Sequence, residues 1–160
     1  MSLIIRENFG CFLYESLKKS FAEHKVEVSE EADFYIHNLL TEYLRTPKFK
    51  TVSGLSNSEK PLALMVQEAY DAPTISEQLW RFVAIGDHSF FISSFLDGHV
   101  NRNFENKDYC LGIGSNSYLQ AKGLFTSSEK KLSELYYELG MNFVDLVVVA
   151  ESALEHSFKK

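Results

Sequence analysis

The sequence predicts an all-α fold, in which one helical domain over residues 1–160 places about six helices around a buried central helix. Apolar residues recur at intervals of three and four in six segments of the chain. Helix-capping and helix-ending residues flank several of these segments, and no two segments have the alternation of paired strands. A length of 160 residues is sufficient for one full-sized core.

Two helices are predicted before the first long loop, over residues 8–24 and 29–45. Ser29 is a good N-cap for the second, and acidic residues follow it in the first turn, where the helix dipole favours them. Pro47 is expected to end this helix, because the residue before a proline avoids the helical region. A third helix is predicted over residues 58–71, after a loop without periodicity.

The central helix is predicted over residues 74–98, with the sequence TISEQLWRFVAIGDHSFFISSFLDG. Apolar side chains fall on most of its sides, which is typical of a helix that is buried on most sides. Thr74 and Glu77 have the spacing of a capping box, and Gly98 is suited to the C-terminal end. Trp80 and Ala84 belong to the apolar faces, and we therefore expect them to be buried.

Two further helices are predicted after the central one. The first covers residues 109–122. The second begins at a capping box formed by Thr126 and Glu129, and Gly140 is expected to bend or split it.

Small residues line one side of the central helix and one side of the next. Gly86, Ser89 and Ser93 recur at helical spacing, as do Gly112 and Ser115. This pattern favours a close approach of two helix backbones. The alternative is that the small residues leave room for a ligand between the helices.

Asp87 is the most informative residue, because it is an acid within a strongly apolar helix. A carboxylate in such surroundings has either a raised pKa or a specific partner. It is interpreted as a structural hydrogen-bond anchor, with a functional acid as the alternative. A buried network that joins it to Asn38, Glu42 and Arg45 of the second helix is a further hypothesis. The candidate ligand-binding residues of an interhelical pocket are Asp87, Asn38, Arg45, Tyr109 and Asn116.

Composition and charge argue against several classes of function. The formal net charge is −6, and Lys and Arg form no basic stripe, so a nucleic acid is not expected as a partner. No segment approaches the roughly 18 apolar residues of a membrane span, and no membrane partner is expected. The N-terminal residues lack the layout of a signal peptide, which leads us to expect a cytoplasmic protein.

Metal and thiol chemistry have little support in the sequence. No zinc-type spacing, HExxH segment or pair of Glu-x-x-His segments occurs, so we predict neither a metal site nor a cofactor. Cys11 and Cys110 are expected to be two buried free thiols in a reducing compartment. The alternative is a redox pair.

Four segments resemble the recurring blocks of a bacterial family of uncharacterised helical proteins. They are FYIHNLLTEYLRT (34–46), PLALMVQEAY (61–70), RFVAIGDHSFFISSF (81–95) and DYCLGIGSNSY (108–118). The resemblance extends from about residue 8 to residue 150. It implies an all-α fold and a cytoplasmic location, and it implies no activity.

A second, local resemblance involves Gly86, Asp87 and Ser89, which are similar to the Gly-Asp-x-Ser motif on the distal helix of heme oxygenases. In that family two further glycines admit the face of the heme, and the aspartate orders water beside bound oxygen. Phe90 and Phe91 stand here in place of those glycines. The resemblance implies a proximal heme ligand on an early helix, which would be His24 or His37.

Two hypotheses of function follow. The first is a non-enzymatic cytoplasmic domain that acts through self-association, as a homodimer, or through a protein partner, because aromatic residues are abundant and are enriched at interface cores. The alternative is a binding protein or enzyme for a small molecule, a tetrapyrrole included, with a pocket between helices around Asp87.

Overall fold

The computed structural model describes residues 3–45, 61–95 and 107–158. Over these ranges the chain is helical without any strand, which confirms the predicted all-α class. A short 3-10 turn, Ser127–Glu129, precedes the sixth helix. The helices are α1 (Leu3–His24), α2 (Glu30–Arg45), α3 (Leu62–Asp71), α4 (Ile75–Phe95), α5 (Lys107–Leu124), α6 (Lys130–Met141) and α7 (Phe143–Phe158).

Helix α4 is the centre of the bundle, as predicted. It packs against α2, α3, α5 and α7, and none of the side chains from residue 85 to residue 94 is exposed. The prediction is wrong for Trp80 and Ala84, which are both exposed; the Trp80 side chain is 49% accessible. These two residues share the outer side of the first turns of α4 with Glu77 and Arg81, because positions three, four and seven apart lie on one side of a helix.

Helices α1 and α7 pack against each other across the bundle. Leu13 and Leu17 of α1 are buried in the common core. The Ser20 hydroxyl, also buried, donates a hydrogen bond of 2.7 Å to the backbone oxygen of Val149 on α7. Much of the apolar surface of α1 is therefore buried against α7.

The boundary between α1 and α2 is fixed by local hydrogen bonds. Lys25 adopts a left-handed conformation with φ of 56°, and the Val26 N–H donates to the Phe21 oxygen at 3.1 Å, which closes the end of α1. The predicted cap of α2 is confirmed, since the Ala32 N–H donates to Ser29 Oγ at 3.1 Å. The predicted features at Pro47, Gly98 and residue 58 lie outside the described residues.

The last predicted helix is divided in two, so the described residues form seven helices and not the predicted six. The capping box of Thr126 and Glu129 is confirmed at its start. The break falls at Asn142, whose backbone leaves the helical conformation with φ −105° and ψ 16°, and whose side-chain amide donates to the Glu138 oxygen at 2.9 Å. Gly140 is instead a packing position, because a Cβ there would stand 2.7 Å from the Leu119 side chain.

Close packing of α4 and α5 is confirmed, but through a different side of α5. A Cβ at Gly86 would stand 2.4 Å from the Tyr118 ring, so this glycine is required for the approach. The predicted counterpart Gly112 is exposed, with nothing within 4 Å of an added Cβ. Gly114 is buried instead, with its Cβ position 2.2 Å from the Phe143 ring.

The two cysteines differ in environment. Only Cys110 is buried, and the expectation that Cys11 would also be buried is wrong. None of the helices in the described ranges is both long enough and apolar enough to cross a membrane.

Candidate functional site

Asp87 lies in the middle of α4 and is held by tyrosines from two other helices. Its Oδ1 atom accepts a hydrogen bond of 2.6 Å from the Tyr118 hydroxyl on α5 and one of 2.7 Å from the Tyr35 hydroxyl on α2. The Tyr136 hydroxyl on α6 donates in turn to the Tyr35 hydroxyl at 3.1 Å. Four helices therefore meet at one half-buried carboxylate. The hydrogen bonds from Tyr35 and Tyr118 have the geometry of the predicted anchoring role of Asp87.

The three tyrosine rings form a packed cluster around this carboxylate. Tyr35 meets Tyr136 edge to face with ring centroids 5.4 Å apart, and Tyr118 lies 5.6 Å from Tyr136. Phe143 supports the other side of Tyr118 at 5.7 Å, and Phe125 stacks on Tyr136 at 5.6 Å. Such contacts fix the ring positions, and with them the directions in which the hydroxyls donate.

All three phenols are protonated at neutral pH, and burial extends their protonation to higher pH. It raises the pKa of Tyr35 and of Tyr118 well above the usual value of 10, and the nearby charge of Asp87 raises both further. The pKa of Tyr136 rises to about 12, again mainly because of burial. The phenols therefore remain donors, and their hydrogen bonds to the carboxylate are charge-assisted.

Asp87 also lines an open groove of about 620 Å³ that runs along α2. The groove is walled mainly by apolar and aromatic side chains of α2, and Leu135 of α6 contributes to it. Phe34 is its most open aromatic residue, with 67% of its surface accessible. The lining residues are Glu31, Phe34, Tyr35, Asn38, Leu39, Glu42, Tyr43, Asp87 and Leu135.

The groove brings together two of the five predicted site residues, Asp87 and Asn38. Arg45, the last residue of α2, lies ten residues beyond Tyr35, or about 15 Å along the helix axis. Tyr109 and Asn116 are both at least partly accessible on α5, and neither lines the groove. Tyr109 and Asn116 precede Tyr118 by nine and two residues. Both therefore lie on the opposite side of α5 from Tyr118, about half a turn around the helix axis.

The hypothesis of a buried network between α2 and Asp87 is wrong in its members. Asn38, Glu42 and Arg45 are exposed, because they lie on the outer side of α2. Tyr35, which the sequence pattern assigns to the inner stripe, reaches the carboxylate instead. A buried tyrosine hydroxyl normally has a hydrogen-bond partner. This general rule is the sequence signal that could have pointed to Tyr35 and Tyr118.

The serines that follow Asp87 on α4 differ in how their hydroxyls are satisfied. Ser94 donates to the Phe90 oxygen at 2.8 Å. Ser89 and Ser93 are buried, and their hydroxyls have no hydrogen-bond partner in the part of the chain that the structure describes. Their side chains occupy tightly packed positions next to α5, so their hydroxyls carry an energetic cost.

The two phenylalanines that stand where the heme oxygenase motif has glycines pack against other aromatic rings. Phe90 and Phe91 are fully buried, Phe90 against Phe143 at 5.5 Å and Phe91 stacked on Tyr43 at 4.8 Å. His37 lies beside the Gly10 oxygen, 3.2 Å from its Nε2 atom. In residues 3–45, 61–95 and 107–158, no three His, Cys, Asp or Glu side chains come together as metal ligands.

Comparison of this chain with protein-family models, with curated proteins and with solved structures gave no match.

Proposed function

We propose that this protein is a non-enzymatic binding protein that holds a small molecule in the groove along α2, with Asp87 as the polar anchor. The observation that carries the proposal is the position of Asp87. Its carboxylate is fixed from two neighbouring helices by Tyr35 and Tyr118, and it lines an aromatic-walled groove. Ligand sites commonly combine apolar walls with a few fixed polar groups.

The hydrogen bonds at the carboxylate favour binding over catalysis. The nine described residues that line the groove include three carboxylates, one amide and two tyrosines. Oδ1 of Asp87 already accepts two hydrogen bonds from tyrosines that remain protonated at neutral pH. An orienting group held in this way contributes affinity through preorganisation.

The test is a titration of isotope-labelled protein with fragment-sized compounds that are neutral, anionic or cationic, followed by two-dimensional NMR. Compounds that bind are expected to shift the amide signals of Phe34, Asn38 and Leu135. The signal of Asn116, which lies outside the groove, serves as the internal control. The proposal is wrong if no compound of any charge shifts the groove signals.

A second candidate function is self-association through an apolar stripe on α6 and α7. The stripe consists of Tyr137, Met141, Val144 and Val148, which are 48%, 60%, 53% and 40% accessible. Tyr137 and Met141 are four residues apart on α6, and Val144 and Val148 are four residues apart on α7, so each helix presents its pair on one side. We propose a second copy of this chain as the occupant, because a two-fold dimer brings the same apolar surface of both copies into contact.

Light scattering coupled to size exclusion tests the second candidate. The native chain is expected to have the mass of a dimer, and Val144→Glu is expected to produce a monomer. Ile75→Glu is the matched control, since Ile75 is 65% accessible on a different helix. A monomeric native chain at every concentration would overturn this candidate.

A further inference from the structure

We propose that the ligand of the α2 groove is a small organic cation with an apolar body, such as an aryl-alkyl amine. This inference rests on the proposed binding function and names the chemical class that the groove selects. Its basis is the combination of a fixed carboxylate, aromatic walls and the charge of the lining.

The fixed carboxylate supplies the polar anchor. Asp87 is half-buried, so its charge is less screened by water than that of a surface acid. The hydroxyls of Tyr35 and Tyr118 hold one of its oxygens at 2.7 and 2.6 Å and prevent the side chain from turning away. An ammonium group beside this carboxylate would gain a charge-assisted hydrogen bond without ordering the side chain first.

The aromatic walls suit the apolar part of a cation. Phe34 lines the groove with a largely accessible side chain, and Tyr43 is held in place by its stacking on Phe91 at 4.8 Å. Aromatic faces attract organic cations through the negative potential of the ring, and they also cover apolar surface. Leu39 and Leu135 add aliphatic surface to the same walls. A cation with a hydrocarbon body uses both properties of the groove.

The charge of the described lining disfavours anions. Glu31, Glu42 and Asp87 line the groove, and no Lys, Arg or His is among the described lining residues. An anionic ligand would meet three carboxylates, whereas a cation is attracted by all three. These acids do not come together as metal ligands within the described ranges, which favours an organic cation over a metal ion.

The size of the groove agrees with this class. Its volume of about 620 Å³ lies within the range of sites that hold small molecules, and it is open along one side. A compact aromatic ring with a short amine chain can place its ring on Phe34 and its ammonium group near Asp87.

The experiment compares three probes of nearly equal shape by NMR titration: phenethylamine, 2-phenylethanol and 3-phenylpropionate. Near neutral pH they are cationic, neutral and anionic. Phenethylamine is expected to bind at least about tenfold more tightly than 2-phenylethanol, and 3-phenylpropionate is expected to bind most weakly. Added salt should weaken only the binding of the amine.

Single substitutions test which residues are responsible for the preference for a cation. Asp87→Asn keeps the shape and an acceptor oxygen for the tyrosines, and it is expected to lower the affinity for phenethylamine about tenfold without changing that for 2-phenylethanol. If Asp87→Asn does not fold, Glu42→Gln and Phe34→Ala, both at exposed positions, test the same preference. Arg45→Ala is the control on the same helix, outside the groove.

The outcomes separate the two proposals. If the three probes bind the groove equally, or if the anion binds best, the preference for a cation is wrong while the binding function stands. If none of the probes shifts the groove signals, and the wider compound set also fails, both proposals are overturned.

Discussion

The ring of Tyr118 lies directly against the backbone of Gly86, so that a Cβ at Gly86 would stand 2.4 Å from Cε1 of the ring. The same tyrosine donates to Asp87, the residue next to Gly86. Glycine at this position therefore determines whether the Tyr118 hydroxyl can reach the carboxylate, and it links the packing of α4 on α5 to the geometry of the site.

We predict that Gly86→Ala lowers the free energy of unfolding by about 1–3 kcal/mol, as overpacking of a core does. The reason is that Tyr118 is fully buried and cannot move aside without displacing its neighbours. Urea denaturation measures the change. Gly112→Ala is the control, because nothing lies within 4 Å of its added Cβ, and alanine should stabilise the helix there by up to about 1 kcal/mol. Equal stability of Gly86→Ala and the native chain would contradict the prediction.

Alkaline conditions should destabilise the protein through the tyrosine cluster. Burial raises the pKa of Tyr136 to about 12 and those of Tyr35 and Tyr118 above their usual value of 10. A pKa that is higher in the folded than in the unfolded state stabilises the fold fully below the unfolded value. This stabilisation is lost as the pH rises from about 10 towards the folded value.

The measurement is the urea midpoint as a function of pH, together with tyrosinate absorbance of the folded protein. Part of the absorbance of the eight tyrosines is expected to develop only above the usual range, and together with unfolding. Tyr136→Phe should flatten the alkaline decline in stability. Ionisation of all the tyrosines in one step near pH 10, while the protein remains folded, would show that this prediction is wrong.

The hydroxyls of Ser89 and Ser93 should contribute nothing to stability. Both are buried without a hydrogen-bond partner among the described residues, so removal of either hydroxyl eliminates a desolvation cost. Ser89→Ala and Ser93→Ala are each expected to change the free energy of unfolding by about 0 to +1 kcal/mol. Ser20→Ala is the contrasting variant and should lose about 1 kcal/mol, because its hydroxyl donates to Val149 at 2.7 Å. A loss at Ser89 or Ser93 as large as that at Ser20 would contradict the prediction.

The end of α1 offers a stabilising substitution. Lys25 has φ of 56°, a conformation that is unfavourable for a residue with a Cβ. Lys25→Gly is therefore expected to raise the free energy of unfolding by about 1 kcal/mol, measured by thermal or urea unfolding. Lys25→Ala keeps the Cβ and should leave the stability nearly unchanged. A gain with alanine equal to that with glycine would assign the effect to the lost charge instead.

The helices could be predicted because their signals are local. The capping residues Ser29 and Thr126 and the spacing of apolar positions depend on neighbours within a few residues. The break at Asn142 was not predicted at that residue, because the apolar spacing continues through it and only Gly140 has a recognisable helix-breaking tendency. The exposure of Trp80 likewise depends on how the other helices pack around α4, and the spacing of apolar residues within α4 does not predict that packing.

The candidate site was predictable in position but not in its partners. Asp87 stands out because an acid in an apolar helix needs compensation. Tyr35 and Tyr118 do not stand out, because a tyrosine in an apolar stripe has the pattern of an ordinary core residue. The Tyr118 hydroxyl reaches Asp87 where its ring lies against Gly86, and such a contact between two helices is not contained in the spacing of either one.

The contact between Ser20 and Val149 joins residues that are 129 positions apart in the chain. During synthesis, the apolar side of α1 emerges from the ribosome long before α7 exists to cover it. The complete core cannot assemble until the last helix has been translated, so nascent chains must be protected from aggregation for most of their elongation.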